Sequence, residues 1–168
     1  MRNAGPGVAM SETEMIHAAI IGARSFTGRE LMRISRRHSR LRFTTLQARV
    51  EAPEPVADTF GELRGAGLPD VTAIDPAALP ESTKAVFLCM PHTAGAEAAK
   101  EFIGRGLRVF DLSADFRFRD HKTYESVYGV THPAPDLNRT AVYGLPEINR
   151  ATIRGASLVA CPGCYPTS

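Results

Sequence analysis

The sequence predicts an α/β fold, a doubly wound and mostly parallel sheet, and three observations carry that prediction. Short apolar runs alternate with amphipathic stretches from about residue 16 onward, as βαβ units require. The first run ends in a glycine that leads into a helical pattern, the usual strand-to-helix turn of such folds. Residues suited to chemistry follow successive predicted strands: Gly22, then Met90-Pro91-His92, then Asp111-Leu112-Ser113, then Cys161 to Cys164. Right-handed crossovers bring the carboxyl ends of parallel strands to one edge, where ligands bind.

Each element has its own warrant. Residues 17–21 (HAAII) form a buried-strand pattern closed by Gly22. Residues 27–38 carry helical spacing, with Leu31, Ile34 and His38 on one side and Arg29, Arg33, Arg36, Arg37 and Arg40 on the other. Residues 41–48 (LRFTTLQA) alternate and are rich in strand formers. Proline and glycine make 51–69 a loop or insertion, and 71–74 a short strand follows. Asp75-Pro76 reads as a cap and first position of one helical turn. Residues 84–90 (KAVFLCM) form the clearest strand, Thr93 caps a helix reaching Gly104, and 106–112 is the next strand. Residues 113–138 show no clear period, and 157–160 is the last strand before Pro162-Gly163-Cys164.

Length and composition bound the rest. The chain has 168 residues, enough for one domain, and 43% hydrophobic with 23% charged residues excludes a disordered or collagen-like chain. No apolar run approaches the roughly 18 residues of a membrane-spanning helix, so no membrane partner is expected. The net charge of +2 is too small to announce nucleic acid. Lys84, Lys100 and Lys122 are the only lysines, and eight arginines lie between Arg24 and Arg49, where Glu30 is the only acid. The helix arginines read as a solvated outer face. Residues 1–14 lack an apolar signal segment and are expected to form a flexible tail. Three cysteines without a secretion signal imply a reducing, cytoplasmic setting.

The turn GARSFTG, residues 22–28, suits a dinucleotide. Gly22 permits the tight turn, Gly28 lets helix and strand pack closely, and amides at the helix start can hold a pyrophosphate. Ser25 stands where a middle glycine is usual. Folds of this kind that bind NAD place an acid near the end of the second strand to hold the ribose hydroxyls. Residues 41–50 contain no acid, while Arg42 and Arg49 are present. A guanidinium there, with Arg24 from the turn, suits the extra phosphate of NADP.

Cys89 sits inside a strand pattern and reads as a small buried hydrophobe. Cys161-Pro-Gly-Cys164 admits three readings: half of a metal site, for which no second pair exists and no metal is expected; a redox pair; or a single nucleophile, Cys164, at the start of a helix.

Taken together and in order, VFLCMPH (86–92), VFDLSADFR (109–117), residues 124–133, YGLPE (143–147) and VACPGCYPT (159–167) resemble the N-acetyl-gamma-glutamyl-phosphate reductase family. The likeness runs from about Ile16 to Ser168. It implies a Rossmann-type domain over 15–164 that binds NADP(H). It also implies the NADPH-dependent reduction of an acyl phosphate, N-acetyl-γ-glutamyl phosphate, to its semialdehyde through a cysteine thioester. Cys164 matches the family's nucleophile. Gly22, Arg24, Ser25, Phe26, Thr27 and Gly28 match the cofactor loop, in which the family usually has Gly at Ser25 and Tyr at Phe26. Arg49 is placed for the phosphate, and Pro91 and His92 match the segment near ribose and nicotinamide. Arg117 is a candidate for the substrate's anionic groups, or for an ion pair with Asp115 or Asp120.

Family members continue past the nucleophile into a second α+β domain with a histidine acid/base, much of the substrate pocket and the oligomer interface. On this reading residues 165–168 begin that domain, its remainder is absent from the chain, and this portion binds cofactor without turning over. The complete protein is expected to be a homo-oligomer. The related carrier-protein-linked aminoadipyl phosphate reductase of lysine biosynthesis, and a non-catalytic NADP-binding module, are the alternative readings. Aspartate-semialdehyde dehydrogenase shares the architecture but fits the loop and cysteine segments less well.

Overall fold

The computed structural model describes residues 15–167, so the expected tail over 1–14 lies outside the described residues. Seven strands form one sheet: β1 (Ile16–Ile21), β2 (Leu41–Ala48), β3 (Val71–Ala73), β4 (Thr83–Leu88), β5 (Arg108–Asp111), β6 (Val142–Tyr143) and β7 (Leu158–Ala160). Helices α1 (Phe26–Ser35), α2 (Val56–Thr59), α3 (Ala94–Gly104), α4 (His121–Tyr128), α5 (Pro135–Asn138), α6 (Pro146–Gly155) and α7 (Cys164–Thr167) fill the connections. The strand order is β3-β2-β1-β4-β5-β7-β6, and every pair of these strands is parallel. The order reverses between β1 and β4. That switch point is where an open parallel sheet forms a ligand crevice.

Alternation along the central strands gives the sheet two apolar faces. Ala19 and Ile21 of β1 join Val86, Leu88 and the α3 residues Ala96, Ala99 and Phe102 on one face. Ala18 and Ile20 join Phe43, Leu46 and Met32 of α1 on the other. Alanines on both faces of β1 let helices approach the middle of the sheet, and Ala18, Ala19 and Ile20 are fully buried.

The predicted strands all form, with ends displaced by up to two residues. Helix α1 differs more. It begins at Phe26, one residue early, and its regular part ends at Ser35. Its inward residues are Gly28 and Met32, while Ile34 is exposed, because the helix rotates to seat Gly28 against the strand. Asp75 caps its short turn as expected, accepting from the Ala77 amide at 3.0 Å. Helices α4 and α6 and strand β6 carried no recognised sequence signal. Helix α6 has no fully buried residue, and β6 is two residues long. At the opposite edge, Glu54 makes an isolated antiparallel bridge to Val71, with each amide bonding the other's carbonyl at 3.0 and 2.8 Å.

Candidate cofactor and nucleophile site

The turn after β1 is held by backbone geometry. Gly22 has φ +91°, and a Cβ there would lie 2.2 Å from the Cys89 carbonyl oxygen. A Cβ on Gly28 would lie 2.9 Å from the carbonyl oxygens of Ala23 and Gly22. Both positions therefore exclude a side chain. The amides of Gly22 and Ala23 donate to the Gln47 carbonyl at 2.8 and 3.0 Å, tying the turn to the end of β2. Ser25 is the N-cap of α1: its Oγ accepts from the Gly28 amide at 3.0 Å and lies 3.0 Å from Thr27 Oγ1. Ser25 thus occupies one of the donors at the helix start. The amides of Phe26 and Thr27 have no acceptor within the helix, as at any helix start.

A cavity of about 280 Å³ opens at the switch point, lined by Gly22, Arg24, Ser25, Arg49, Cys89 and Pro91, with Ala48, Ile74 and Met90. Of the residues singled out in the sequence, Gly22, Arg24, Ser25, Arg49 and Pro91 meet there. Gly28 lies beneath the turn, Phe26 is 84% exposed, and Thr27 and His92 are exposed outside the lining. Two arginines and no carboxylate line the cavity. Arg24 Nε also reaches Glu54 Oε1, outside the lining, at 3.4 Å across a solvent-exposed gap. The pairing of Gln47 and Asp75, at 2.8 Å from Gln47 Nε2 and 3.2 Å to Gln47 Oε1, braces the segment after Ile74. A turn that admits no Cβ, free helix-start amides and an acid-free cationic wall fit a dinucleotide.

Cys89 forms part of the cavity wall and is buried, which raises its thiol to about 11. It is an inert wall residue.

The cysteine turn follows β7 at the same carboxyl edge. The Cys161 amide donates to the Asp111 carbonyl at 2.8 Å. Cys164 is exposed and opens α7, so a helical turn does form after the cysteine. Cys161 is partly buried, and burial followed by the nearby Asp111 carboxylate pushes its thiol up to about 12. Of the Cys161 and Cys164 pair, Cys164 is the exposed thiol. Among the described residues no group of His, Cys, Asp and Glu could hold a metal ion.

Arg117 takes neither ion pair considered from the sequence. Its Nε donates to the Cys161 carbonyl at 2.9 Å and its Nη2 to the Leu112 carbonyl at 3.0 Å. It braces the cysteine turn, and its side chain also lines a cavity of about 290 Å³ with Arg119, Arg139 and Asn149.

Asp111, Asp115 and His132 have surroundings that the sequence did not show. Asp111 is buried, and burial raises its carboxyl to about 6 against the opposing bonds from Ser113. Asp115 is buried and caps α3, the role expected of Thr93; Thr93 instead adopts φ +69° with no side-chain cap bond. His132 is buried, its Nδ1 accepting from the Ala134 amide, so its Nε2 donates to the Asp115 carbonyl at 2.7 Å. The aperiodic stretch 113–138 hid the roles of Asp115 and His132, because they are set by contacts between distant residues.

A family model described as semialdehyde dehydrogenase, NAD binding domain, matches residues 17–156. The chain belongs to that family. As a semialdehyde dehydrogenase NAD-binding domain it resembles part of longer enzymes. It is 44% identical over 154 residues to an N-acetyl-gamma-glutamyl-phosphate reductase of Nitrosococcus oceani, covering 92% of this chain and 45% of the relative. It is 46% identical over 159 residues to one of Cellvibrio japonicus, covering 92% and 44%. The chain thus spans a little under half the length of these curated relatives. In structure it resembles aspartate semialdehyde dehydrogenase II of Vibrio cholerae, with TM-score 0.61, 16% identity, and coverage of 90% of this chain and 42% of the other. The enzyme of Candida albicans, solved with NADP, gives TM-score 0.55 at 15% identity over 88% and 42%. At those identities the likeness is one of fold. Among the described residues no helix is long and apolar enough to cross a membrane.

Proposed function

We propose that this semialdehyde dehydrogenase NAD-binding domain is the cofactor-binding and nucleophile-bearing part of an N-acetyl-gamma-glutamyl-phosphate reductase, and that its cofactor is NADP(H). The observation that carries the reading is the cavity at the β1/β4 switch point. There Gly22, Arg24, Ser25, Arg49 and Pro91 converge with no carboxylate in the lining, and Cys164 stands on the same edge of the sheet. The names of the relatives supply the substrate.

Each residue then has a task. The tight approach at Gly22 and the amides of Phe26 and Thr27 receive the pyrophosphate, while Arg49, assisted by Arg24, receives the additional phosphate. Gly28 keeps α1 close enough for those amides to reach. Pro91 and His92 border the ribose and nicotinamide. When bound, the nicotinamide supplies the hydride that takes the acyl group to the aldehyde level. The Cys164 thiolate attacks the acyl carbon of the acyl phosphate. The C–O bond to phosphate breaks, phosphate leaves with the electron pair, and a thioester on Cys164 remains. After reduction the C–S bond breaks and Cys164 regains its electron pair. Arg117 fixes the turn that carries Cys164, and its remaining donor capacity faces the substrate's anionic end.

Residues 15–164 are one cofactor domain on this reading, and α7 begins the catalytic domain of the complete enzyme. The complete enzyme is a cytoplasmic homo-oligomer whose remaining portion contributes the proton-transfer group and the rest of the substrate pocket.

The test is titration of the purified chain with NADPH and NADH, followed by nicotinamide fluorescence. NADPH is expected to bind at least about tenfold more tightly, and Arg49→Glu to remove most of that margin. Equal affinity for both cofactors in the unaltered chain overturns the NADP assignment. In the complete enzyme, Cys164→Ser is expected to abolish acyl-phosphate reduction while leaving NADPH affinity unchanged.

A further inference from the structure

The loop between β5 and α4 sends two of its charged side chains, Asp115 and Arg117, to opposite places. Arg117 reaches the Cys161 carbonyl, on the cysteine turn. Asp115 reaches the segment after β4, where Pro91 and His92 lie. Its Oδ1 accepts from the Thr93 amide and its Oδ2 from the Ala96 amide, both at 2.8 Å. Tyr124, fully buried, donates its hydroxyl to Asp115 Oδ1 at 2.9 Å. The Asp115 carbonyl is itself fixed by His132 Nε2 at 2.7 Å and Asn138 Nδ2 at 3.4 Å.

Thr93 is the only non-glycine residue with positive φ among the described residues. A β-branched residue enters that region against its steric preference and remains there only when its surroundings hold it. Its own hydroxyl makes no cap bond. What holds it is a buried carboxylate from a loop more than twenty residues away in sequence. The fit is close on the other side as well: a Cβ on Gly95 would lie 3.0 Å from Asp111 Oδ1 and Ser113 Oγ. The α3 start therefore sits directly on the β5–α4 loop, and the backbone that enters it through Pro91 and His92 takes its direction from Thr93.

We propose that Asp115 is a positioning residue for the cofactor: by capping α3 it holds Thr93 in the left-handed region and so sets Pro91 and His92 at the mouth of the site. The inference rests on the reading that this segment borders the bound dinucleotide. It also makes one loop the mechanical link between the cofactor edge and the nucleophile turn, through Asp115 and Arg117.

The experiment measures NADPH affinity by fluorescence titration, with urea unfolding in parallel. Asp115→Asn keeps one acceptor but sets its amide group against a backbone N–H. It is expected to weaken NADPH binding by about tenfold, because fewer molecules hold the competent backbone. Adding Thr93→Gly removes the steric objection to positive φ and is expected to restore affinity to within about threefold of the unaltered chain. A purely structural cap would not be rescued in this way. Tyr124→Phe removes a bond to the same carboxylate without touching α3, so it is expected to lower stability while leaving affinity within about twofold. Unchanged affinity in a folded Asp115→Asn chain overturns the proposal, and so does failure of Thr93→Gly to rescue. Should Asp115→Asn not fold, amide exchange in the unaltered chain decides. NADPH is expected to slow exchange at Thr93 and Ala96 and to leave Lys122, capped by Asp120, unchanged; no change at Thr93 and Ala96 overturns the proposal. If the unaltered chain binds no NADPH, the cofactor reading fails and the positioning role fails with it. If it binds and the variants behave alike, only the positioning role fails.

Discussion

Two turns on one edge of the sheet are built by opposite means. The turn from Gly22 to Gly28 is shaped by what is missing from it, since two positions have no room for a Cβ and the backbone closes against the Cys89 and Gln47 carbonyls. The turn from Cys161 to Cys164 is shaped by what reaches it from elsewhere: the Asp111 carbonyl and the Arg117 guanidinium, the latter 44 residues earlier in sequence. The glycine turn needs only backbone from its neighbours, the carbonyls at the ends of the two adjoining strands. A turn held by distant side chains is complete only when the whole sheet has assembled. The difference separates a glycine turn closed by backbone alone from a cysteine turn held by a distant side chain.

The comparison can be broken most severely at Gly22. Gly22→Ala places a Cβ against the Cys89 carbonyl at positive φ and is expected to destabilise the chain by about 3 kcal/mol or more, read as a shift in urea midpoint. A loss under about 1 kcal/mol would show that the turn has slack that its geometry denies.

Asp111, whose carbonyl accepts from the Cys161 amide, gives a pH test. Its carboxyl stays protonated in the fold up to about pH 6, against an ordinary value of 3.8 in the unfolded chain. A raised acid of this kind weakens the fold as pH climbs from about 4 to 6, because the unfolded chain releases the proton first; above 6 the penalty is constant. The expected loss is on the order of 2–3 kcal/mol. Urea midpoints across that window check it, and Asp111→Asn is expected to flatten the slope.

Arg117→Met separates the turns. It deletes two charged hydrogen bonds to carbonyls, and about 2 kcal/mol of stability should go with them. Amide exchange should quicken around residues 161–164 and stay unchanged at 22–28. Equal loosening of both turns would show that they are not independent.

Ser25→Gly gives the smallest effect. Replacing a serine cap by glycine changes stability by only a few tenths of a kcal/mol. It frees the Gly28 amide from Ser25 Oγ, so NADPH affinity should rise slightly, by up to about threefold. A fall would show that the serine hydroxyl itself contacts the cofactor.

The legibility of the sequence followed the same division. Strand β1 and its glycine turn, the acid-free end of β2, and the succession of strands along the chain up to β5 were readable because periodicity and glycine placement are local signals. Arg24, Ser25, Arg49 and Pro91 meet around one cavity as the strand pattern implied. What stayed hidden depends on contacts across the chain. Asp115 takes the capping role that Thr93 was expected to fill, and Arg117 bonds carbonyls instead of a neighbouring carboxylate. Helix α6 escaped notice because none of its residues is fully buried, so its sequence carries little core pattern. Ile34 was placed inward by spacing alone, whereas the seat of Gly28 turns the helix and leaves it exposed.

The single bridge between Glu54 and Val71 has a consequence for how molecules of this chain meet one another. An open sheet offers its outermost backbone as a template for a neighbour's strand. Here one margin is the two-residue β6. At the other, Glu54 has already taken both outward-facing backbone groups of Val71. Little ladder is left for another copy to extend, so edge-to-edge stacking of crowded molecules is disfavoured.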